Sequence, residues 1–169
     1  MKMLFLTRSH GPIALPIAQM ITNDHIVIDK GFGNGQFLLE LRMMLNKKAE
    51  QLKKEGKIKE AEKRARLIGI TAFDKEVRRH ACEGHAFKEQ RIEVVKMKLP
   101  CHSARIQFFD DTPQYDPVKL HEDQKALDFL KELQNKVDFV FDTFGSSTYN
   151  ISFQKTAIES EVEMLRPGM

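Results

Sequence analysis

Asp29, Gly31, Gly33 and Gly35 stand two residues apart at the end of the apolar run Ile26-Val27-Ile28, and no other stretch combines residue types so suited to holding a small ligand. Glycines let the backbone bend sharply and let a ligand approach without meeting a Cβ, and the carboxylate stands at the edge of that turn. The spacing limits which ligand is meant. A dinucleotide fingerprint needs its third glycine three residues after the second, whereas here it comes two after Gly33 and the fingerprint position holds Gln36. The Gly-Lys-Ser/Thr ending of a nucleotide-phosphate loop is missing as well. The turn therefore reads as a cradle for a different cofactor, or as a glycine-rich connection that holds none.

A cradle works only if elements on either side fix it. Ile26 to Ile28 are β-branched and continuous, as in a short strand buried on both faces of a parallel sheet. From Gln36 the period changes: Leu38, Leu41, Leu45, Ala49 and Leu52 fall three or four apart and make one face of a helix. The stripe breaks at Glu55-Gly56-Lys57 and resumes at Ile58, Ala61 and Ala65, which predicts a second helix. Gly35 and Ile68 are 33 residues apart, more than one crossover helix requires, so residues 46–66 read as a charged helical insertion.

Residues 67–74 predict a second strand, 74–81 a helix capped by Asp74, and 91–99 a third, more exposed strand near a sheet edge. Ala126, Leu127, Leu130 and Leu133 make another helical stripe before a fourth strand over 137–145. The fold class expected is α/β, an open, mostly parallel sheet with flanking helices and the insertion after its first strand.

The Asp-x-Gly-x-Gly-x-Gly turn at 29–35 resembles motif I of the class I S-adenosylmethionine-dependent methyltransferases. Two further stretches support the resemblance by order and spacing. The strand ending in Asp142-Thr143 is similar to the family's motif IV, and a helix closing in Leu165-Arg166-Pro167-Gly168 resembles the element before its fifth strand. The resemblance implies a Rossmann-like methyltransferase sheet and S-adenosylmethionine as cofactor. It implies cofactor contacts from Asp29, Gly31, Phe32, Gly33, Asn34, Gly35, Thr71, Ala72, Asp142 and Thr143. A carboxylate beside the glycines is complementary to the cofactor's ammonium and sulfonium charges.

One position departs from the pattern. The family usually holds both ribose hydroxyls with an acidic residue where this chain has Thr71, whose hydroxyl bonds more weakly than a carboxylate. The Asn/Asp-Pro-Pro-Tyr of amino-methylating DNA enzymes is also missing, which argues against adenine N6 as the acceptor. Methyl transfer needs mainly alignment, so the sequence names no catalytic residue and no methyl acceptor. By the same resemblance, residues 1–169 make one domain that stops after its fourth strand and helix. The alternative is an inactive methyltransferase-like fragment serving as an interaction module, through its charged arm or through an unpaired sheet edge that could take a second copy as a homodimer.

Composition sets the outer bounds. The 169 residues are 41% hydrophobic and 30% charged, with a net charge of +3 from 27 basic and 24 acidic residues. No apolar run approaches a membrane span, and Arg8 and His10 interrupt the short apolar start, so the expectation is a cytoplasmic protein without a membrane partner. Cys82, His85, Cys101 and His102 invite a zinc reading, but the second pair is adjacent and ill placed to share one ion, so no metal is expected.

The basic residues from Lys47 to Arg66 suit a phosphate backbone and also suit a solvated helix, and the interleaved glutamates favour the second. Phe108, Phe109 and Tyr115 read equally as walls of a ligand site or as core plugs. Residues 11–21 read as a loop into a short helix; the family resemblance implies a lid over the cofactor there, the alternative is simple packing against the sheet, and packing is favoured.

Overall fold

A computed structural model describes residues 16, 18–33, 35–71, 86–96, 124–141 and 162–168. Four strands, β1 (Ile26–Lys30), β2 (Arg66–Thr71), β3 (Glu93–Lys96) and β4 (Phe139–Phe141), form one sheet in the order β3-β2-β1-β4. All three pairings are parallel. Parallel neighbours need crossover connections, and helices supply them: α1 (Gln36–Lys54) and α2 (Ile58–Glu62) between β1 and β2, α3 (Ala86–Glu89) before β3, and α4 (Gln124–Leu133) before β4. The chain is thus α/β, and β3 lies at the sheet edge its mixed polarity predicts.

Strand alternation sorts the core into two layers. Val27, Leu67, Phe139 and Phe141 point to the face covered by α1 and α3, where they pack with Phe37, Leu38, Leu41, Leu45 and Phe87. Ile28, Ile68, Ile70 and Val140 point to the other face, where Leu133 and Phe129 of α4 and Met164 cover them. The central strand β1 is consequently apolar on both sides, which is what its β-branched run encodes.

The helix stop at Gly56 follows from hydrogen bonding. Gly56 takes a φ of +77°, its N–H donates to the Lys53 carbonyl at 3.1 Å, and the Lys57 N–H donates to the Leu52 carbonyl at 2.9 Å. This paired closure satisfies carbonyls that the helix end would otherwise leave bare.

Helix α1 runs to Lys54, as the stripe through Leu52 predicts, and α2 follows the Gly56 turn as the second helix. Two expectations change. The second helix does not reach Ala65: Lys63 is already extended, at φ −60° and ψ 148°, and Ala65 is buried in the core beneath the start of β2. β2 begins at Arg66, which places that guanidinium 2.8 Å from Glu93 and 2.6 Å from Glu132. The spacing of Ala61 and Ala65 fits a helix, but their burial is achieved in two different elements.

The fourth strand starts at Phe139, two residues into the 137–145 run, and 142–145 lie outside the described residues. Val137 instead pairs in parallel with Leu165, exchanging bonds with Met164 and Arg166 at 3.0 and 2.8 Å. Successive residues of a strand direct their backbone groups to opposite sides, so Asp138 faces β1 while Val137 faces the 162–168 segment. That segment therefore covers the start of β4's outer edge.

Candidate functional site

The chain runs outward from β1 through β2 to β3, then returns to the opposite side of β1 for β4. The order reverses between β1 and β4, and in open α/β sheets ligands bind outside the carboxyl ends of the strands at such a reversal. The glycine turn leaves β1 at that place.

Gly31, Gly33 and Gly35 all take left-handed conformations, with φ of 71°, 57° and 76°. Gly31 donates to the Ile70 carbonyl at 2.9 Å, tying the turn to the end of β2, and Gly35 donates to the Phe32 carbonyl at 2.9 Å. A Cβ on Gly35 would lie 2.2 Å from Cζ of Phe87, whereas one on Gly33 would meet no described protein atom within 4 Å. The turn is therefore packed shut at Gly35 and open at Gly33. α1 then starts without a side-chain cap and without an acidic residue in its first turn, a helix end suited to an anionic group such as a carboxylate.

Asp29 is 1% exposed and shares a face with its register partners Gly69 and Phe141. Phe32 is 6% exposed and is inserted above Gly69, where an added Cβ would stand 2.6 Å from its ring; it also meets Phe87 at a 5.7 Å centroid distance. The Phe32 side chain is thus committed to packing, and its backbone is what borders the turn. Phe37 in the first turn of α1 meets Phe141 at 4.6 Å, closing the layer beneath Asp29.

The structure brings Asp29, Gly31, Phe32, Gly33 and Gly35 into one turn and sets Thr71, the last residue of β2, beside it. Asn34, Ala72, Asp142 and Thr143 lie outside the described residues. So do Cys82, His85, Cys101 and His102, and Phe108, Phe109 and Tyr115. Among the described residues no group of three or more His, Cys, Asp or Glu side chains could hold a metal ion. No helix among them is long and apolar enough to cross a membrane.

Four supporting residues escaped sequence reasoning. Phe87 seals Gly35 from a distant, short helix, and nothing in its local pattern marks it. Asp138 is buried and accepts the Ile26 N–H through Oδ2 at 2.8 Å, while Arg166 stands 3.3 Å from its Oδ1. It fixes the start of β1, at the end of the strand remote from the glycines. Lys30 is 1% exposed on the α4 face of β1, a buried cation directly before Gly31.

Arg42 is 1% exposed on the core side of α1, where its position four residues after Leu38 was the available signal. One nitrogen, Nη2, donates to the Ala65 carbonyl at 2.8 Å, while Nε and Nη1 have no hydrogen-bond partner among the described residues. Burial, with repulsion from Arg64 added, pushes its guanidinium down to about 10. Nearer the turn, burial pushes Glu40 above the usual carboxylate range, opposed by the bond it accepts from Gln36 at 2.7 Å.

Comparison with known proteins returns no match to this chain, whether to protein-family models, to curated proteins or to solved structures.

Proposed function

We propose that the chain binds S-adenosylmethionine at the β1–α1 turn and acts as a methyltransferase with a Rossmann-like sheet. The observation that carries this reading is the open, left-handed Gly33 at the β1/β4 reversal, next to a buried aspartate. Its fit to the cofactor can be tested on this chain's own residues. The space over Gly33 is where a Cβ would otherwise stand, so the backbone there can touch a ligand directly. The buried Asp29 supplies negative charge close to the end of β1, on the side where the cofactor's ammonium group would be attracted. An uncapped α1 start suits the amino-acid carboxylate.

When bound, S-adenosylmethionine supplies a methyl group on a positively charged sulfur. The chain's contribution is to hold and align the two reactants: the glycine backbone wraps the amino-acid part and Asp29 braces the turn. By resemblance, Thr71 and Ala72 border the ribose, and Asp142 and Thr143 line the carboxyl edge of β4. Alignment of this kind removes much of the entropic barrier to a displacement.

Calorimetric titration with S-adenosylhomocysteine tests the reading. Wild type should bind, Asp29→Asn should bind at least about tenfold more weakly, a loss of about 1.4 kcal/mol, and circular dichroism should report both chains folded. A folded wild-type chain that takes up no S-adenosylhomocysteine would end the proposal.

A further inference from the structure

The excess positive charge of this chain is local. Residues 47–64 hold eight lysines and arginines against four glutamates, a surplus larger than the net charge of +3 for the whole chain. They form the last turns of α1, the Gly56 turn, α2 and the extended residues that follow. In a solvated, self-neutralising face the lysines would pair with the interleaved glutamates. Only some do. Lys57 pairs with Glu55 at 3.0 Å, Lys63 stands 3.5 Å from Asp24, and Lys48 is spent on the carbonyls of Gln19 and Ile21. Lys47, Lys53, Lys54 and Lys59 are exposed, and among the described residues their side chains join no ion pair or hydrogen bond.

Between α1 and α2 lies an open cleft of about 300 Å³, where Lys53, Lys63 and Arg64 outnumber the carboxylates of Glu50 and Glu62 by one charge. Its side of α1 is the stripe that continues from the buried Arg42 through Asn46, Ala49 and Lys53. Arg64 adds its charge to that of Arg42, so cationic character extends from the surface into the base of this region.

We propose that this arm docks the phosphate backbone of a base-paired nucleic acid. Unpaired exposed lysines along two consecutive helices present charge at spacings a polyanion can neutralise by releasing its counterions. The arm contains no aromatic residue from 46 to 66 on which an unpaired base could stack, which selects a duplex over a single strand. A membrane surface fits less well. The apolar stripe of α1 is buried against the sheet, and Ile58 is the only exposed large apolar residue of the arm. The arm occupies the carboxyl part of α1, from about 17 Å beyond the glycine turn at Lys47 to about 28 Å at Lys54. The proposal therefore does not depend on the cofactor reading, and either can fail alone.

The test is fluorescence anisotropy of a labelled RNA duplex with the full 169-residue chain, titrated between about 50 and 200 mM salt. The arm variant is Lys47→Gln, Lys53→Gln, Lys54→Gln and Lys59→Gln together. A charge-matched control carries Lys88→Gln, Arg91→Gln, Lys131→Gln and Lys136→Gln. The expected result is duplex binding by wild type and control. The arm variant should bind at least about tenfold more weakly, and the slope of log affinity against log salt should fall by about one for each phosphate contact removed. Several outcomes would overturn the proposal: no binding by wild type at the lowest salt, an arm variant that binds like wild type, or a control that loses as much. Tighter binding of single-stranded RNA or of phosphatidylserine vesicles, or displacement of the duplex by an equal charge of polyglutamate, would do the same.

Discussion

The two ends of α1 are entered and left through glycines in nearly the same conformation, Gly35 at φ 76° and Gly56 at φ 77°. Their surroundings differ. At Gly35 the Phe87 ring from a distant helix fills the place of a side chain, whereas at Gly56 nothing described stands within 4 Å and the turn is held by its own backbone bonds. The amino end is fixed by tertiary packing and surrounded by buried groups. The carboxyl end is fixed locally and is surrounded by exposed lysines. The ligand recognition proposed at the first would depend on backbone shape, which packing makes rigid. The recognition proposed at the second would depend on side-chain charge, which can change without disturbing the fold.

The largest expected effect comes from closing that contrast. Gly35→Ala combines left-handed strain of about 1–2 kcal/mol with overpacking of about 1–3 kcal/mol against Phe87, so urea denaturation should show a loss of about 3 kcal/mol. A loss equal to that of Gly56→Ala would mean that Phe87 yields and that the amino end is no more constrained than the carboxyl end.

Next is the pair Gly33→Ala and Gly56→Ala. Both positions are left-handed and both have room for a methyl group, so each should cost about 1–2 kcal/mol of stability. Only Gly33→Ala should weaken S-adenosylhomocysteine binding by calorimetry, because its Cβ enters the space proposed for the ligand. Equal binding by the two variants would separate the glycine turn from any cofactor role.

Arg42→Met probes the middle of the helix. Burial, with repulsion from Arg64 added, lowers the guanidinium from its usual range to about 10, a cost of roughly 3 kcal/mol carried at neutral pH. Removing it also orphans the Ala65 carbonyl, at about 1–3 kcal/mol. The net expectation is a gain of about 1 kcal/mol in denaturant midpoint experiments. The pH dependence has a definite sign. Arg42 is charged in both folded and unfolded chains below about 10, so the penalty is constant there. As pH rises through about 10 the folded chain sheds its proton first and the penalty shrinks, so wild type should approach the variant in stability. Smallest of all, the four arm lysine-to-glutamine changes should alter unfolding free energy by less than about 0.5 kcal/mol, as exposed unpaired charges do.

Much of this architecture was legible because it is local. The apolar run of β1, the α1 stripe, the stop at Gly56 and the polarity of β3 each follow from residues within one or two turns of each other. The candidate site was legible to the same extent: an aspartate and three glycines mark the turn without reference to anything else. What failed to show was long-range. Ala65 kept helical spacing while leaving the helix, because its burial is decided by β2. Phe87 and Asp138 act on Gly35 and Ile26 from 52 and 112 residues away, beyond the reach of any periodicity. Lys30 and Arg42 are buried charges, against the rule that cations stay at the surface.

Asp138 has a further consequence, for the time at which the sheet can close. β1 gains one neighbour as soon as β2 is made, but its other flank waits for Asp138 and β4, roughly 70 residues later. At about 5–20 residues per second of synthesis, the central strand spends several seconds with one edge uncovered while the chain emerges. Ribosome-bound chains of increasing length should therefore become protease-resistant in β1 only after residue 141 has cleared the exit tunnel. The interval in which a nascent chain is open to mispairing is set by the position of one carboxylate.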